Sequence, residues 1–523
     1  MATLSKSKLL SYRQCPKRLW LEIHRKDFRD YSASAQAAQE IGRTIGDITR
    51  RHYDPAIQGH FLESNQFGLA ELLPLSETVA KYGRTPIFQA GFSANGVLSP
   101  ADIMLPVKQG SKQGWRIVVV KSATSIKNYH RDDAAIQAYA CRAAGVPLIE
   151  IALAYIDKTW VYPGDEDYRG LLIEHALTEE TFARGEEVEG WIACAQAIAR
   201  EQVEPAIPTG SQCNEPYSCG FIDHCLSQVA APEHPASWFP RIQSKALIEH
   251  LARGSDDMRD VPDELLNEKQ LRVKRCTLNN EVYFDPQGAA TDLVPYPLPG
   301  YFLDFETVQF AVPIWKGTRP YQQLPFQFSM HYLLPTGELE HREFLDLSGN
   351  DPSKAFAEAL IEACGQQGPV FVYNAAFETT RIKELAARFS EIEAPLFAIK
   401  ERIVDLLRVA EARYYHPCQQ GSWSIKKLLP AIAPEMRHDQ LDGVQDGGMA
   451  MEAFKEAISG SCAPERKVEV ERQLRNYCRL DTLAMVRVWH HFTNQLTTDE
   501  LHSRHADTLT ANCWDQTLID PLL

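Results

Sequence analysis

The 523-residue sequence has no apolar run long enough to cross a membrane and no low-complexity tract. Its longest apolar stretches are of strand length, as at 117–120, whereas a membrane-spanning helix needs about 20 apolar residues. The first twenty residues lack the apolar core and small-residue cleavage site of a secretory signal. We therefore expect a cytoplasmic protein with no membrane partner.

The sequence also lacks an excess of positive charge, since its formal net charge is -15. This argues against a protein that coats nucleic acid through bulk electrostatics, but not against a nuclease, whose metal-binding carboxylates are themselves acidic. The first 60 residues are basic, with 11 Lys and Arg against 6 Asp and Glu. Twelve cysteines in a chain without an export signal predict reduced thiols or metal ligands rather than a disulfide framework.

The length predicts two or three domains, and no internal repeat is apparent. Residues 4–52 have helical spacing, and the next strands flank Asn95-Gly96, a dipeptide typical of tight hairpins. A third strand, "WRIVVV", precedes the helix "DDAAIQAYACRAAG" and the strand "LIEIALAYI". The first half thus reads helix, three strands, helix, strand.

Residues 232–299 are rich in proline and predict a connector with short helices. Three strands follow, "GYFLDFET", "FQFSMHYLL" and "LEHREFLDL". They precede the helix "PSKAFAEALIEAC", the strand "PVFVYNA" and the helix "FETTRIKELAARF". Three strands, helix, strand, helix is the opening order of an RNase H-like domain.

Acidic residues recur in three segments of this second half. Asp304 and Glu306 alternate on one strand and share a face, Glu378 begins a helix, and Tyr477 and Asp481 share a face of a later helix. Converging carboxylates would repel one another unless cations neutralised them. Two Mg²⁺ or Mn²⁺ ions would do so and would activate water for phosphodiester cleavage, with the tyrosine hydroxyl orienting that water.

These acidic residues could also have purely structural roles. An Asp-x-Glu pair often lies on a solvated strand face, but in "YFLDFET" the carboxylates stand among apolar residues, where unpaired charge is costly. Asp405 in "RIVDLL" is either a fifth carboxylate of the site or a helix cap. Both alternatives for Asp405 stay open at this point.

The motifs "LDFE", "YNAAFE" and "YCRLD" resemble the three exonuclease motifs of the DEDD family in its tyrosine-containing variant. The resemblance implies a DnaQ-like, RNase H-fold domain that removes nucleotides in the 3′-to-5′ direction. Glu378 departs from the pattern, because most family members have aspartate there. The extra methylene could shift a metal ion.

Three cysteines, Cys213, Cys219 and Cys225, are spaced six residues apart, and Cys15 is the natural fourth ligand. Four thiolates hold either zinc or an iron–sulfur cluster, and the absence of the short gaps of zinc sites favours iron–sulfur. Buried, unliganded cysteines are the alternative. The pattern resembles the iron–sulfur RecB-like nucleases, including CRISPR-associated exonucleases, and implies a 4Fe-4S cluster that staples the first helix to the end of the domain.

The first half resembles a PD-(D/E)XK nuclease core. Asp102 matches the metal-binding acid of that family, Lys121 its lysine and Gln137 the helical glutamine of the RecB-like subgroup. Val119 stands where the family has its second acid, and Gly46 stands about where it often has a histidine. We therefore expect a retained fold with impaired or lost cleavage.

Two substitutes for the missing acid are conceivable, Asp132 and Asp133 on the following helix, and Val119 can also be a plain core residue. Such a domain would bind DNA through its basic first helices. The candidate phosphate contacts are Lys17, Arg18, Arg25 and Lys26. Tyr12 and Trp20 could stack on single-stranded bases, but Trp20 is more typical of a core residue.

The whole chain resembles a bacterial family that fuses a RecB-like iron–sulfur domain to a DEDD-like domain. The expected α/β domains are 1–230 and 296–500, with a connector at 231–295 and a tail at 501–523. The segment "YYHPCQQGSWSIKKLLPAI" also fits, with Lys426 or Lys427 near a phosphate.

Three hypotheses follow. The first is an active 3′-to-5′ exonuclease in DNA repair or phage defence, on single-stranded DNA or alternatively on RNA. The second is a nucleic-acid-binding scaffold or helicase partner with both nuclease folds inactive. The third reverses the roles, with cleavage at Asp102 and Lys121, and Val119 counts against it.

Overall fold

A computed structural model describes residues 3–30, 33–62, 68–230 and 232–493. The chain forms two compact units. Unit 1 comprises Met1–Ala230 and Phe310–Gln322, and unit 2 comprises Ala231–Gln309 and Gln323–Leu523. The α/β class expected from the sequence is confirmed, with two mixed sheets and one small sheet. The expected tail at 501–523 lies outside the described residues, as do the last residues of the expected 296–500 domain.

Unit 1 is built on a seven-stranded mixed sheet in the order β2-β3-β4-β5-β6-β7, with β1 parallel to β4. Its strands are β1 (Leu4–Ser5), β2 (His60–Phe61), β3 (Ile87–Ala94), β4 (Val97–Gln109), β5 (Lys112–Lys121), β6 (Leu148–Ile156) and β7 (Leu172–Ala176). Its helices are α1 (Lys6–Gln14), α2 (Pro16–His24), α3 (Ala33–Tyr53), α4 (Leu69–Tyr82), α5 (Asn128–Ala143), α6 (Thr178–Ala183), α7 (Gly185–Ile198) and α8 (Ile222–Ser227).

The hairpin of unit 1 turns where the sequence predicted. Asn95 and Gly96 both have positive φ, 48° and 79°, as a two-residue turn between twisted antiparallel strands requires. The predicted third strand, helix and fourth strand are confirmed as β5, α5 and β6. The sequence interpretation missed α4, whose periodicity is interrupted by Pro74, and also β7, α6 and α7. The helical segment expected at 4–52 is confirmed in part: Leu4–Ser5 forms β1, and the rest of the segment contains three α-helices.

Unit 2 is built on a five-stranded mixed sheet in the order β11-β10-β9-β12-β13. Its strands, together with those of a two-stranded sheet, are β8 (Tyr283–Phe284), β9 (Gly300–Val308), β10 (Leu324–Leu333), β11 (Leu339–Leu345), β12 (Val370–Val372), β13 (Ile403–Asp405) and β14 (Tyr414–Tyr415). The first three strands of the large sheet pair antiparallel, whereas β9, β12 and β13 run parallel. β8 and β14 form the small antiparallel sheet.

Ten α-helices belong to unit 2 in the described part of the chain. They are α9 (Lys245–Leu251), α10 (Glu268–Asn279), α11 (Pro286–Leu293), α12 (Ser353–Cys364), α13 (Ala376–Arg388), α14 (Glu393–Lys400), α15 (Leu406–Arg413), α16 (Ile425–Ile432), α17 (Gly447–Ile458) and α18 (Pro464–Phe492). The elements expected for this half are confirmed as β9, β10, β11, α12, β12, α13 and α18. No helix in the described residues is both long enough and apolar enough to span a bilayer.

The central strand β9 divides the interior of unit 2 in two. Leu303 and Phe305 pack in the core that contains Phe356 of α12, whereas Phe302 packs in the core that contains Trp489 of α18. Successive strand residues point to opposite faces. The even-numbered residues of β9 therefore face α18.

Two segments belong to different units from those that the sequence suggested. The expected connector contributes Leu247, Met258 and Val273 to the core of unit 2 that contains Trp489. Residues 310–322, expected in the C-terminal domain, cluster with unit 1, where Ala311 packs with buried residues of α3 and β6. Sequence proximity does not determine which hydrophobic surface a loop covers.

Candidate functional site

Three carboxylates of unit 2 converge at the interface of β9 and α18. Asp304, Glu306 and Asp481 each offer one oxygen, and these three oxygens lie within 4.8 Å of one another. Asp304 and Glu306 are brought together by strand alternation, while Asp481 comes from the helix that packs on that face. No other group of three metal-binding side chains is this close in the described residues.

The electrostatics of this acid cluster favour a cation. Burial, and then repulsion by Asp481 and Glu306, raises the pKa of Asp304 well above its ordinary value. Burial, and then Asp481, raises the pKa of Glu306 to about 8, although the charge of Lys426 acts in the opposite direction. Buried like charges are unfavourable unless a positive charge lies among them. The arrangement therefore suits a site that holds divalent cations.

Glu378 lies in the first turn of α13, directly after β12. It is 2% exposed, and its Oε2 atom has no hydrogen-bond partner among the described residues. Burial raises its pKa to about 8, and its charge in turn raises the pKa of Asp304. A buried carboxylate oxygen without a partner is costly and calls for a ligand. Glu378 therefore belongs to the acid cluster, although its oxygens lie outside the closest group of three.

Tyr477 precedes Asp481 by one turn of α18 and is buried. Burial, followed by repulsion from Asp481 and Glu306, raises the pKa of its hydroxyl far above the ordinary value. The hydroxyl thus keeps its proton and can donate a hydrogen bond. The neighbouring Cys478 Sγ lies 3.9 Å from Asp304 Oδ2.

His438 is a residue of this site that sequence reasoning missed. Its Nε2 atom lies 2.7 Å from Asp481 Oδ1, and both side chains are buried. The ring lies edge-on to that of Tyr477, at a centroid distance of 6.1 Å. His438 stands 43 residues before its partner, at the start of a three-residue 3-10 helix, so neither periodicity nor motif spacing could have indicated it.

The two lysines proposed from the sequence are separated by the structure. Lys426 Nζ lies 5.1 Å from the ring centroid of Tyr477 and donates to the Gln445 carbonyl at 2.9 Å. Lys427 Nζ instead donates to Gln420 Oε1 at 2.9 Å. Lys426 is therefore the lysine that stands beside the acid cluster.

Asp405 is a helix cap in this structure. Its Oδ1 atom accepts hydrogen bonds from the backbone N–H of Leu407 at 3.1 Å and of Asn374 at 3.0 Å. The first of these caps α15. Of the two alternatives that the sequence left open, the geometry favours capping.

The four cysteines singled out in the sequence line one small cavity of unit 1, together with Lys17 and Arg18. These cysteines are Cys15, Cys213, Cys219 and Cys225, and all four carry free thiols. Burial raises the pKa of Cys219 and Cys225, whereas the charge of Arg18 or Lys17 lowers it. No three of the described thiols lie mutually within 4.8 Å.

The basic residues of the first helices divide into two classes. Lys17 is buried with its Nζ 2.8 Å from Glu204, and Arg18 is buried 3.2 Å from Glu22. Their charges are neutralised inside unit 1, which argues against a contact with phosphate. Arg25 and Lys26 are exposed, although Arg25 lies 2.9 Å from Asp27.

Trp20 is confirmed as a core residue, because it is 8% exposed and its indole N–H donates to the Glu201 carbonyl at 2.9 Å. Tyr12 is only partly buried and packs beside a different core of unit 1. Gly46 is exposed on α3, and a Cβ atom there would have no neighbour within 4 Å.

The second acid set, in unit 1, contains its own cations. Gln137 Nε2 donates to Asp102 at 3.2 Å and to Asp133 at 3.1 Å, and Lys121 forms an ion pair with Asp133. Lys6, which the sequence did not single out, also contacts both acids.

The remaining residues weighed for this second acid set lie outside it. Asp132 points elsewhere, to Arg13 and Arg184. Val119 is fully buried in the core between the sheet and α5. The plain packing role considered for Val119 is thus the one observed.

Comparison with known proteins adds two similarities. Residues 301–424, which include most of β9 and Glu378, match the model of a domain of unknown function, DUF2779. A stretch of 207 residues, 36% of this chain, is 26% identical to the "Uncharacterized protein MG366 homolog" of Mycoplasma pneumoniae. That match covers 31% of the Mycoplasma protein. Both similarities indicate distant homology, and neither name states an activity.

Proposed function

We propose that this protein is a metal-dependent 3′-to-5′ exonuclease that acts on single-stranded DNA through the acid cluster of unit 2. The observation that carries the proposal is the convergence of Asp304, Glu306 and Asp481 within 4.8 Å, beside a Glu378 oxygen that has no hydrogen-bond partner in the described part of the chain. Surface salt bridges and helix caps do not account for this arrangement, because the four carboxylates outnumber the lysine and the histidine that the structure describes beside them, Lys426 and His438.

The sheet of unit 2 supports the RNase H-like assignment. Its first strand, β9, lies at the centre, with two antiparallel strands on one side and two parallel strands on the other. The elements follow in the order that the motif resemblance implies, with the first two acids on β9 and the last on α18. The carboxylates thus meet on one face of the sheet.

The donor set fits Mg²⁺ or Mn²⁺, because all four acidic side chains offer only oxygen. Bound cations of this kind activate water and stabilise the charge that develops on a leaving phosphodiester oxygen. Asp304, Glu306, Glu378 and Asp481 would hold them. His438 orients the carboxylate of Asp481 through the 2.7 Å hydrogen bond.

Two further side chains have roles at the substrate. The protonated hydroxyl of Tyr477 can donate to, and so orient, an attacking water. The ammonium group of Lys426 stands beside that ring and attracts a phosphate. These assignments explain why a tyrosine and a lysine lie next to an otherwise acidic centre.

For unit 1 we propose a RecB-like PD-(D/E)XK domain stapled by a 4Fe-4S cluster. Four thiols around one cavity fit such a cluster. The gaps between Cys213, Cys219 and Cys225 are longer than the short gaps of zinc sites, which favours the iron–sulfur cluster. Cys15 would tie the junction of α1 and α2 to the distant three-cysteine segment.

The test is an exonuclease assay on the full chain, purified anaerobically. Single strands of DNA and RNA, labelled at either end, are incubated with Mn²⁺ or Mg²⁺. We expect nucleotides to be released from the 3′ end of DNA. Asp304→Asn should lower the rate roughly 100- to 1,000-fold, as expected when a catalytic electrostatic group is lost. The matched control, Asp256→Asn, changes an exposed aspartate of the same unit and should be neutral.

The other outcomes decide between the competing functions. Faster cleavage of RNA would reassign the substrate while keeping the site. If Lys121→Ala abolishes cleavage and Asp304→Asn does not, the nuclease site lies in unit 1 rather than in unit 2. Binding of DNA without cleavage under any of these conditions would overturn the proposal in favour of a scaffold or helicase partner.

A further inference from the structure

The acid cluster of unit 1 differs from that of unit 2 in how its charge is neutralised. The two carboxylates, Asp102 and Asp133, are 15% and 3% exposed at their side chains. Lys6 Nζ lies 3.3 Å from Asp102 Oδ1 and 2.9 Å from Asp133 Oδ1. One ammonium group therefore bridges the two acids.

The charges of this cluster balance. Lys6 and Lys121 carry two positive charges, and Asp102 and Asp133 carry two negative charges. Gln137 and the backbone N–H of Val120 donate the remaining hydrogen bonds, at 3.1–3.2 Å. A divalent cation added to this set would face two ammonium groups in a buried site, which is unfavourable. In this arrangement the residues do not fit a metal ion.

Lys6 is fixed in its position by the fold. It begins α1 directly after β1, where Leu4 pairs with Val97 of β4, and Leu9 of the same helix is fully buried. Burial disfavours its charged form, but attraction by Asp102 and Asp133 outweighs burial and raises its pKa above the ordinary value. Lys6 therefore carries a positive charge at neutral pH, and the fold holds that charge between the two acids.

We infer that the ammonium group of Lys6 takes the place of a divalent cation between Asp102 and Asp133, so that this acid pair of unit 1 is an internal ion pair and binds no divalent metal ion. Loss of the acid at Val119 is then only part of the reason for the absence of a metal centre. Strand β5 has Val119 in place of the second acid, and Asp133 of α5 supplies a carboxylate instead. The ammonium group of Lys6 lies between this carboxylate and Asp102. This inference does not rest on the exonuclease activity of unit 2.

The test counts Mn²⁺ ions bound to the full chain, from the EPR signal of free Mn²⁺. The parent protein carries Asp304→Asn and Asp481→Asn, which remove binding in unit 2. It should bind no Mn²⁺ in unit 1. Lys6→Met in this parent leaves the cluster one positive charge short. It should therefore gain one Mn²⁺ site, at least tenfold tighter than any binding to the parent and lost again with Asp102→Asn.

Lys6→Arg is the matched control, because it keeps the positive charge and should gain no site. Far-UV circular dichroism shows whether each variant is folded. Mn²⁺ bound by the parent protein and lost with Asp102→Asn would overturn the inference. So would a folded Lys6→Met variant that binds no Mn²⁺. Should Lys6→Met fail to fold, Lys6→Gln takes its place, because it also removes the positive charge.

Discussion

Replacing Glu378 by glutamine separates the charge of this residue from its shape. The side chain is almost fully buried and its Oε2 atom has no hydrogen-bond partner among the described residues. The amide has nearly the same volume as the carboxyl group but cannot ionise. The substitution therefore removes a buried negative charge while it leaves the packing of α13 in place.

The magnitude follows from the pKa of Glu378, which burial raises from 4.5 to about 8. The folded protein holds this proton at a pH where the unfolded chain has lost it, so its free energy of unfolding falls as pH rises from 4.5 to 8. At about 1.36 kcal/mol per unit of pKa, the loss reaches roughly 5 kcal/mol above pH 8 and is absent below pH 4.5. Glu378→Gln abolishes this contribution.

The assay is urea unfolding in the presence of a chelator, at pH 5 and at pH 8.5. It is followed by hydrogen exchange of peptides from β12 and α13, which report on unit 2 alone. The stability of the variant relative to the natural chain should rise by several kcal/mol between the two pH values. Excess Mn²⁺ should stabilise the natural chain at pH 8.5 and the variant much less, because ligand binding adds to the free energy of unfolding.

Glu362→Gln is the matched control, since it changes an exposed glutamate of α12. It should leave the pH dependence unaltered. The reasoning is refuted if the natural chain and Glu378→Gln lose stability in parallel between pH 5 and pH 8.5. The Glu378 carboxylate would then be solvated or paired with a positive group, and it would not need a bound cation.

Three further predictions follow. His438→Gln should raise the Mn²⁺ concentration needed for half-maximal cleavage by about 10- to 100-fold, as loss of a partner to a metal ligand does, and an unchanged Mn²⁺ titration would exclude this positioning role. Cys219→Ser should remove the visible absorbance of the anaerobically purified protein and lower its melting temperature, whereas Cys194→Ser, at an exposed thiol, should do neither. Gly421→Ala should destabilise unit 2 by about 2–4 kcal/mol in urea unfolding, because the added Cβ would collide with the Trp238 carbonyl. Gly337 also has a positive φ, but a Cβ there would meet no neighbouring atom within 4 Å. Gly337→Ala is therefore the control and should lower the free energy of unfolding by only about 1 kcal/mol.

The candidate site of unit 2 was largely predictable because its members are encoded locally. Asp304 and Glu306 alternate on a strand, and Tyr477 and Asp481 stand one turn apart on a helix. Such spacings follow from the period of each element, and resemblance to known motifs supplied their order. His438 lay beyond this reasoning, because a single histidine in a turn has no period to mark it.

Unit 1 shows the limit more sharply. The sequence offered Asp132 and Asp133 as equal substitutes, and only the packing of α5 shows that Asp133 meets Asp102 while Asp132 turns to two arginines. It offered Lys17 and Arg18 as phosphate contacts, and the structure buries both in ion pairs. The sequence shows which side chains are charged, but it does not show which opposite charge each of them pairs with.

The sequence by itself thus determined the longer strands of both large sheets, the hairpin turn and the spacing of the acidic residues within each motif. These depend on interactions within a few residues of the chain. Only the tertiary structure decided that the segment after 231 packs with unit 2, that Lys426 rather than Lys427 approaches the acids, and that Lys6 neutralises a pair of acids, one of them 96 residues away. Contacts at such separations depend on how whole surfaces pack, and no spacing along the chain specifies them.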